Sequence, residues 1–159
     1  MIKARLTPGQ VVLGIIASFI VASIVNIYPL SLEASVFRPT ALIMVLIFWL
    51  IYKPRYVGVG TAFLIGVIAD LLLDTRLGQQ AFSAVVMAFC IRFIGRYLRE
   101  LNLTIAWMVA TAGLLVFQLT LWLVQYLTQN IFYTQAIVSL VISIVAWPLV
   151  YIALKRFIR

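Results

Sequence analysis

The chain has no histidine, a single cysteine and only four acidic residues among its 159. Each shortage closes a class of chemistry. Zinc and haem sites draw mainly on His and Cys, so no ordinary site of either kind can be assembled. A lone Cys90 excludes an internal disulfide, and its place within an apolar run makes it a small buried hydrophobe. There is no visible nucleophile–base pair and no phosphate-binding loop. Gly58-Val59-Gly60 lacks the strand–turn–helix setting of a dinucleotide site and reads as a relaxed helix start. The expectation is no cofactor, no metal and no enzymatic activity.

Charge is also scarce, at 10% of residues, while 65% are hydrophobic and mean hydropathy is +1.17. A soluble domain is nearer half apolar and a quarter charged. The chain is therefore read as a single polytopic membrane domain spanning 1–159, with no sizeable extramembrane part. An apolar stretch of about 20 residues crosses a bilayer as a helix, because its backbone polar groups must be satisfied within the segment. Six stretches are predicted, at about 10–28, 38–52, 57–73, 79–97, 104–127 and 133–154. The second is the shortest, and a five-span reading would make it re-entrant. Pro39 suits a first helical turn, and the charges fit six. The first run follows Lys3 and Arg5 as in a signal sequence but continues to about Ile27 without a clear cleavage site, so it is expected to be retained.

The net charge of +8 is distributed in short clusters between apolar runs. With the N-terminus in the cytoplasm, Lys3, Arg5, Lys53, Arg55, Arg92, Arg96, Arg99, Lys155, Arg156 and Arg159 all fall inside. Arg38 and Arg76 alone fall outside. Such a bias over short loops is the positive-inside pattern. It adds attraction to anionic lipids and argues against nucleic acid as the partner. The fold class expected is an all-α integral membrane protein: a six-helix transmembrane bundle with both termini cytoplasmic. Tyr28, Trp49, Tyr52, Trp107 and Trp147, near predicted span ends, are expected as interfacial anchors.

Small residues mark contact lines between helices in lipid. The first span carries Gln10, Gly14, Ser18, Ala22 and Asn26 at steps of four. The third carries Gly58, Ala62, Gly66, Asp70 and Asp74 at the same step, a slanted ridge that suits close crossings. Either ridge can pack within the bundle or receive another protein's helix. Asp70 and Asp74 fall at a helix C-terminus and Arg38 at a helix N-terminus, each the wrong end for its sign. Opposite charges at mismatched ends are explained most simply if they face each other or a partner. Pairing of Arg38 with Asp70 or Asp74 would offset the cost of a carboxylate below the interface, with solvated helix-end charges as the alternative, chiefly for Asp74 and Arg76. One acid near a helix end is too little for a coupled proton pump. On the fifth span Thr104, Thr111, Gln118 and Gln125 recur at heptad steps, answered on the sixth by Gln135, Ser139 and Ser143. They read as a hydrogen-bonded helix pair or as a polar groove opening outward. Trp147-Pro148 predicts a kink. Arg92, Arg96 and Arg99 form an inner basic ridge, either a lipid anchor or a handle for an acidic partner.

These features together resemble the MreD family, the small membrane component of the bacterial rod-shape (elongation) system. The resemblance rests on Phe37-Arg38-Pro39, Phe48-Trp49, Pro54 through Val57-Gly58-Val59-Gly60, Gly66 with Asp70-Leu71, Leu77-Gly78 and Trp147-Pro148, and it covers essentially the whole chain. It implies a non-enzymatic partner of MreC in the inner membrane, working with MreB, RodZ, the RodA glycosyltransferase and its transpeptidase to direct lateral peptidoglycan synthesis. It also implies a fold similar to the substrate-binding S-components of energy-coupling-factor transporters, from which function does not transfer. The competing reading is a small-solute or lipid-binding membrane subunit that uses Gln118 and Gln125.

Overall fold

The computed structural model describes residues 7–27, 40–97, 102–129 and 135–158. These form six α-helices: α1 (Pro8–Ile27), α2 (Ala41–Tyr52), α3 (Val59–Leu72), α4 (Gln79–Gly95), α5 (Leu103–Gln129) and α6 (Gln135–Ile158). The described residues contain no strand.

The bundle is organised around α2. Its sequence is apolar on every side, and a helix without a polar face is stable only when enclosed. Leu42 through Leu50 are all buried, and α2 touches each of the other five helices. Its 12 residues make a rod of about 18 Å, against a hydrocarbon core of about 30 Å. Three helical segments are long and apolar enough to cross a membrane: Pro8–Ile27, Leu103–Gln129 and Ala136–Arg156. Helices α2, α3 and α4 are shorter apolar helices. Large apolar side chains such as Leu13, Ile20, Leu64, Phe89, Leu119 and Leu149 point outward from the outer helices, as suits a lipid-facing surface.

Two expectations about aromatic residues are corrected. Trp49 and Trp147 do not lie on the outer surface of the bundle as headgroup anchors would: they are 1% and 0% exposed, among the largest buried side chains. The physical reason is the enclosure of α2, whose end packs against α6 through Phe48, Tyr52 and Tyr151. Trp107, by contrast, is 41% exposed. Cys90 is half-buried rather than part of the core.

Successive helices alternate in direction, which gives the bundle two poles. At one, the end of α2 meets the ends of α4 and α6 and the start of α5. Lys53, Arg55, Arg92, Arg96, Lys155 and Arg156 all lie there. At the other, the end of α1 meets the start of α2, and the end of α3 meets the start of α4. That pole carries Asp70, Asp74 and Arg76.

Candidate functional site

The tightest piece of the acidic pole is the α3–α4 hairpin. Gly66 lets the two backbones touch: a Cβ there would lie 2.3 Å from Ala81 Cα. That close crossing brings the C-terminus of α3 over the N-terminus of α4, where the first N–H groups have no helical acceptors. Asp70 supplies them. Its side chain is 0% exposed, and its Oδ2 accepts from the N–H of Gly78 at 2.8 Å and of Ala81 at 3.3 Å. Its Oδ1 accepts from the N–H of Gln80 at 2.9 Å and from Thr75 Oγ1 at 2.8 Å. The α3 macrodipole disfavours a carboxylate at this position, but the α4 dipole and four donors favour it. Asp70 thus caps a helix other than its own. Gly78 makes the turn possible with φ 100, a left-handed conformation that suits glycine.

The remaining ridge residues fall into place around this hairpin. Ala62 is buried. The Gly58 N–H donates to Thr61 Oγ1 at 3.2 Å, one half of a capping box whose other half glycine cannot make. Asp74 lies exposed in the turn with φ 51. Arg38, the expected partner of Asp70 or Asp74, lies outside the described residues. The α1 ridge faces α2. Ser18 Oγ accepts from Trp49 Nε1 at 2.8 Å, Asn26 Oδ1 accepts from the N–H of Ala41 at 3.3 Å, and Gly14 and Ala22 on the same ridge are buried. From the other side Ser143 Oγ accepts from the N–H of Thr40 at 3.1 Å. The start of the central helix is therefore capped by residues from α1 and α6.

Gln118 is buried and its Nε2 has no hydrogen-bond partner among the described residues; Gln125 is half-buried. Neither lines either of the two concavities described next. One is an open apolar groove of about 490 Å³ between α1, α2 and α6, walled by small residues including Gly14, Ala17, Ala22, Ala146 and Ala153. The other, about 230 Å³ at the basic pole, is lined by Leu50, Ile51, Pro54, Ile91, Arg92, Gly95, Arg96 and Val109. Among the described residues no three His, Cys, Asp or Glu side chains cluster as metal ligands.

Sequence reasoning singled out Asp70 but missed its donors, because three of the four are backbone groups. The usable signal was the Thr75 and Gly78 turn that follows it. The long-range caps from Asn26 and Ser143 left no local signal beyond a polar residue on an apolar helix.

The arrangement is one of helix caps, close crossings and surface grooves. The family model described as rod shape-determining protein MreD matches residues 8–157. The rod shape-determining protein MreD of Haemophilus influenzae is 27% identical over 146 residues, covering 91% of this chain and 90% of that one. No solved structure matches the chain. With almost its entire length matched, the chain belongs to the MreD family of rod shape-determining membrane proteins.

Proposed function

We propose that this chain is a non-enzymatic scaffold of the rod-shape machinery that binds the membrane helix of MreC in the groove between α1, α2 and α6. The carrying observation is that groove: open, about 490 Å³, apolar, and walled by Gly14, Ala17, Ala22, Ala146 and Ala153. Small residues let a second helix approach to backbone distance, which is how helices associate in lipid. MreB, RodZ, RodA and its transpeptidase are then partners within the same complex, reached through MreC. The bundle crosses the inner membrane six times, with the basic pole and both termini in the cytoplasm. In support, Lys53, Arg55, Arg92, Arg96, Lys155 and Arg156 gather at one pole. The short α2, surrounded by the other helices, is tolerated at membrane depth because it meets protein instead of lipid.

Single cysteines introduced at Ala17, Val21 and Ala153, in a Cys90→Ala background, should cross-link to cysteines in the MreC membrane helix. Cysteines at Phe63 and Leu119, on other outward faces, should not. Equal cross-linking from all five positions, or from the second pair alone, would sink the groove assignment.

A further inference from the structure

We propose that the pocket between α2, α4 and α5 at the basic pole binds the phosphate headgroup of an anionic phospholipid, with Arg92 and Arg96 as its ligands. Both arginines line this cavity of about 230 Å³. Arg92 lies in the last turn of α4 and Arg96, four residues on, is its C-cap, so the two are neighbours along one side of the helix end. The described acids, Asp70 and Asp74, lie at the opposite pole, so neither guanidinium is neutralised by a described carboxylate. Two guanidinium forks beside one cavity, with no described carboxylate at that pole, suit a phosphate, which accepts paired N–H bonds.

The cavity also has an apolar wall of Leu50, Ile51, Ile91 and Val109. The neighbouring outward residues of α4, Phe89 and Phe93, are 67% and 52% exposed. A ligand that satisfies both the arginines and this surface must be amphipathic. A free phosphate would use only the arginines, whereas a phospholipid uses both. Basic pockets between membrane helices on the positively charged side recur as headgroup sites.

A Cβ on Gly58 would lie 2.7 Å from Arg92 Nη1, so the missing side chain at the start of α3 is the space the guanidinium occupies. This gives Gly58 a role in placing Arg92. The proposal is independent of which protein the scaffold holds.

The full chain, purified in detergent, is offered equal amounts of dioleoyl phosphatidylglycerol and dioleoyl phosphatidylcholine, and retained lipid is counted by native mass spectrometry. The wild type should retain phosphatidylglycerol in preference. The pair Arg92→Gln with Arg96→Gln should weaken that retention roughly thirtyfold. The pair Lys155→Gln with Arg156→Gln, at the same pole but outside the pocket, should leave it intact. Equal retention of the two lipids by the wild type overturns the proposal, and that comparison needs no variant to fold. Equal loss in both glutamine pairs also overturns it, because diffuse attraction to the pole would then suffice. Displacement of the lipid by millimolar inorganic phosphate would reassign the site to free phosphate and overturn the lipid assignment.

Discussion

The indole of Trp107 on α5 donates to the carbonyl of Ile144 on α6 at 3.1 Å. Ile144 stands four residues before Pro148, which lies inside α6 and has no N–H to complete the helical bond to that carbonyl. A defect in one helix thereby becomes the polar contact that ties it to the next. Satisfying a freed carbonyl from a neighbouring helix is how proline is accommodated at membrane depth.

Trp107→Phe should lower stability by about 1 kcal/mol, the scale of one interhelical hydrogen bond in a membrane protein. In a Pro148→Ala background the same change should cost measurably less, because the restored backbone N–H at position 148 satisfies Ile144. Denaturant unfolding in mixed micelles across the four-member cycle measures the coupling. Strict additivity would mean that the indole and the proline act separately.

Asp70→Asn should destabilise the fold by roughly 3 kcal/mol, since the amide must turn a donor toward N–H groups that need an acceptor. Thr75→Val, which removes one of the four donors, should cost about 1 kcal/mol. Asp74→Asn, in the exposed turn, should stay within about 0.5 kcal/mol of wild type. Amide exchange should localise the Asp70→Asn damage to Gln79 through Ser83. A larger effect from Asp74→Asn than from Asp70→Asn would contradict the cap.

Glycine substitutions should separate by what surrounds each one. Gly66→Ala meets the backbone of Ala81 and should cost roughly 1–3 kcal/mol by forcing α3 from α4. Gly113→Ala meets the far end of Ile91, which can rotate away, and should cost less. Gly60→Ala has nothing within 4 Å and should be neutral or slightly stabilising, through helix propensity alone. Thermal unfolding of the three purified variants ranks them.

Orientation is open to direct labelling. In a Cys90→Ala background, Leu77→Cys at the acidic pole should react with a membrane-impermeant maleimide in intact cells with a permeabilised outer membrane. Tyr56→Cys at the basic pole should react only after the inner membrane is opened. The reverse pattern would invert the proposed topology.

Composition, hydropathy and the order of short motifs were sufficient for the membrane class and the MreD family, and the helices lie close to the expected runs. These are legible locally because an apolar run of a given length and a cluster of charges carry their meaning in sequence order. The place of Trp49 and Trp147 was not legible, since a tryptophan at a helix end has the same local signature whether it meets headgroups or the core. Only the enclosure of α2 distinguishes the two.

The same division holds for Asp70. That a carboxylate near the end of an apolar helix must be compensated is legible in the sequence, because taking a charge out of water is costly in any fold. Which groups compensate it was decided by tertiary structure: the Gly66–Ala81 crossing sets the angle that presents the first N–H groups of α4 to Asp70. Three of the four donors are backbone groups without residue identity, so beyond Thr75 and Gly78 the side-chain pattern carries no mark of them.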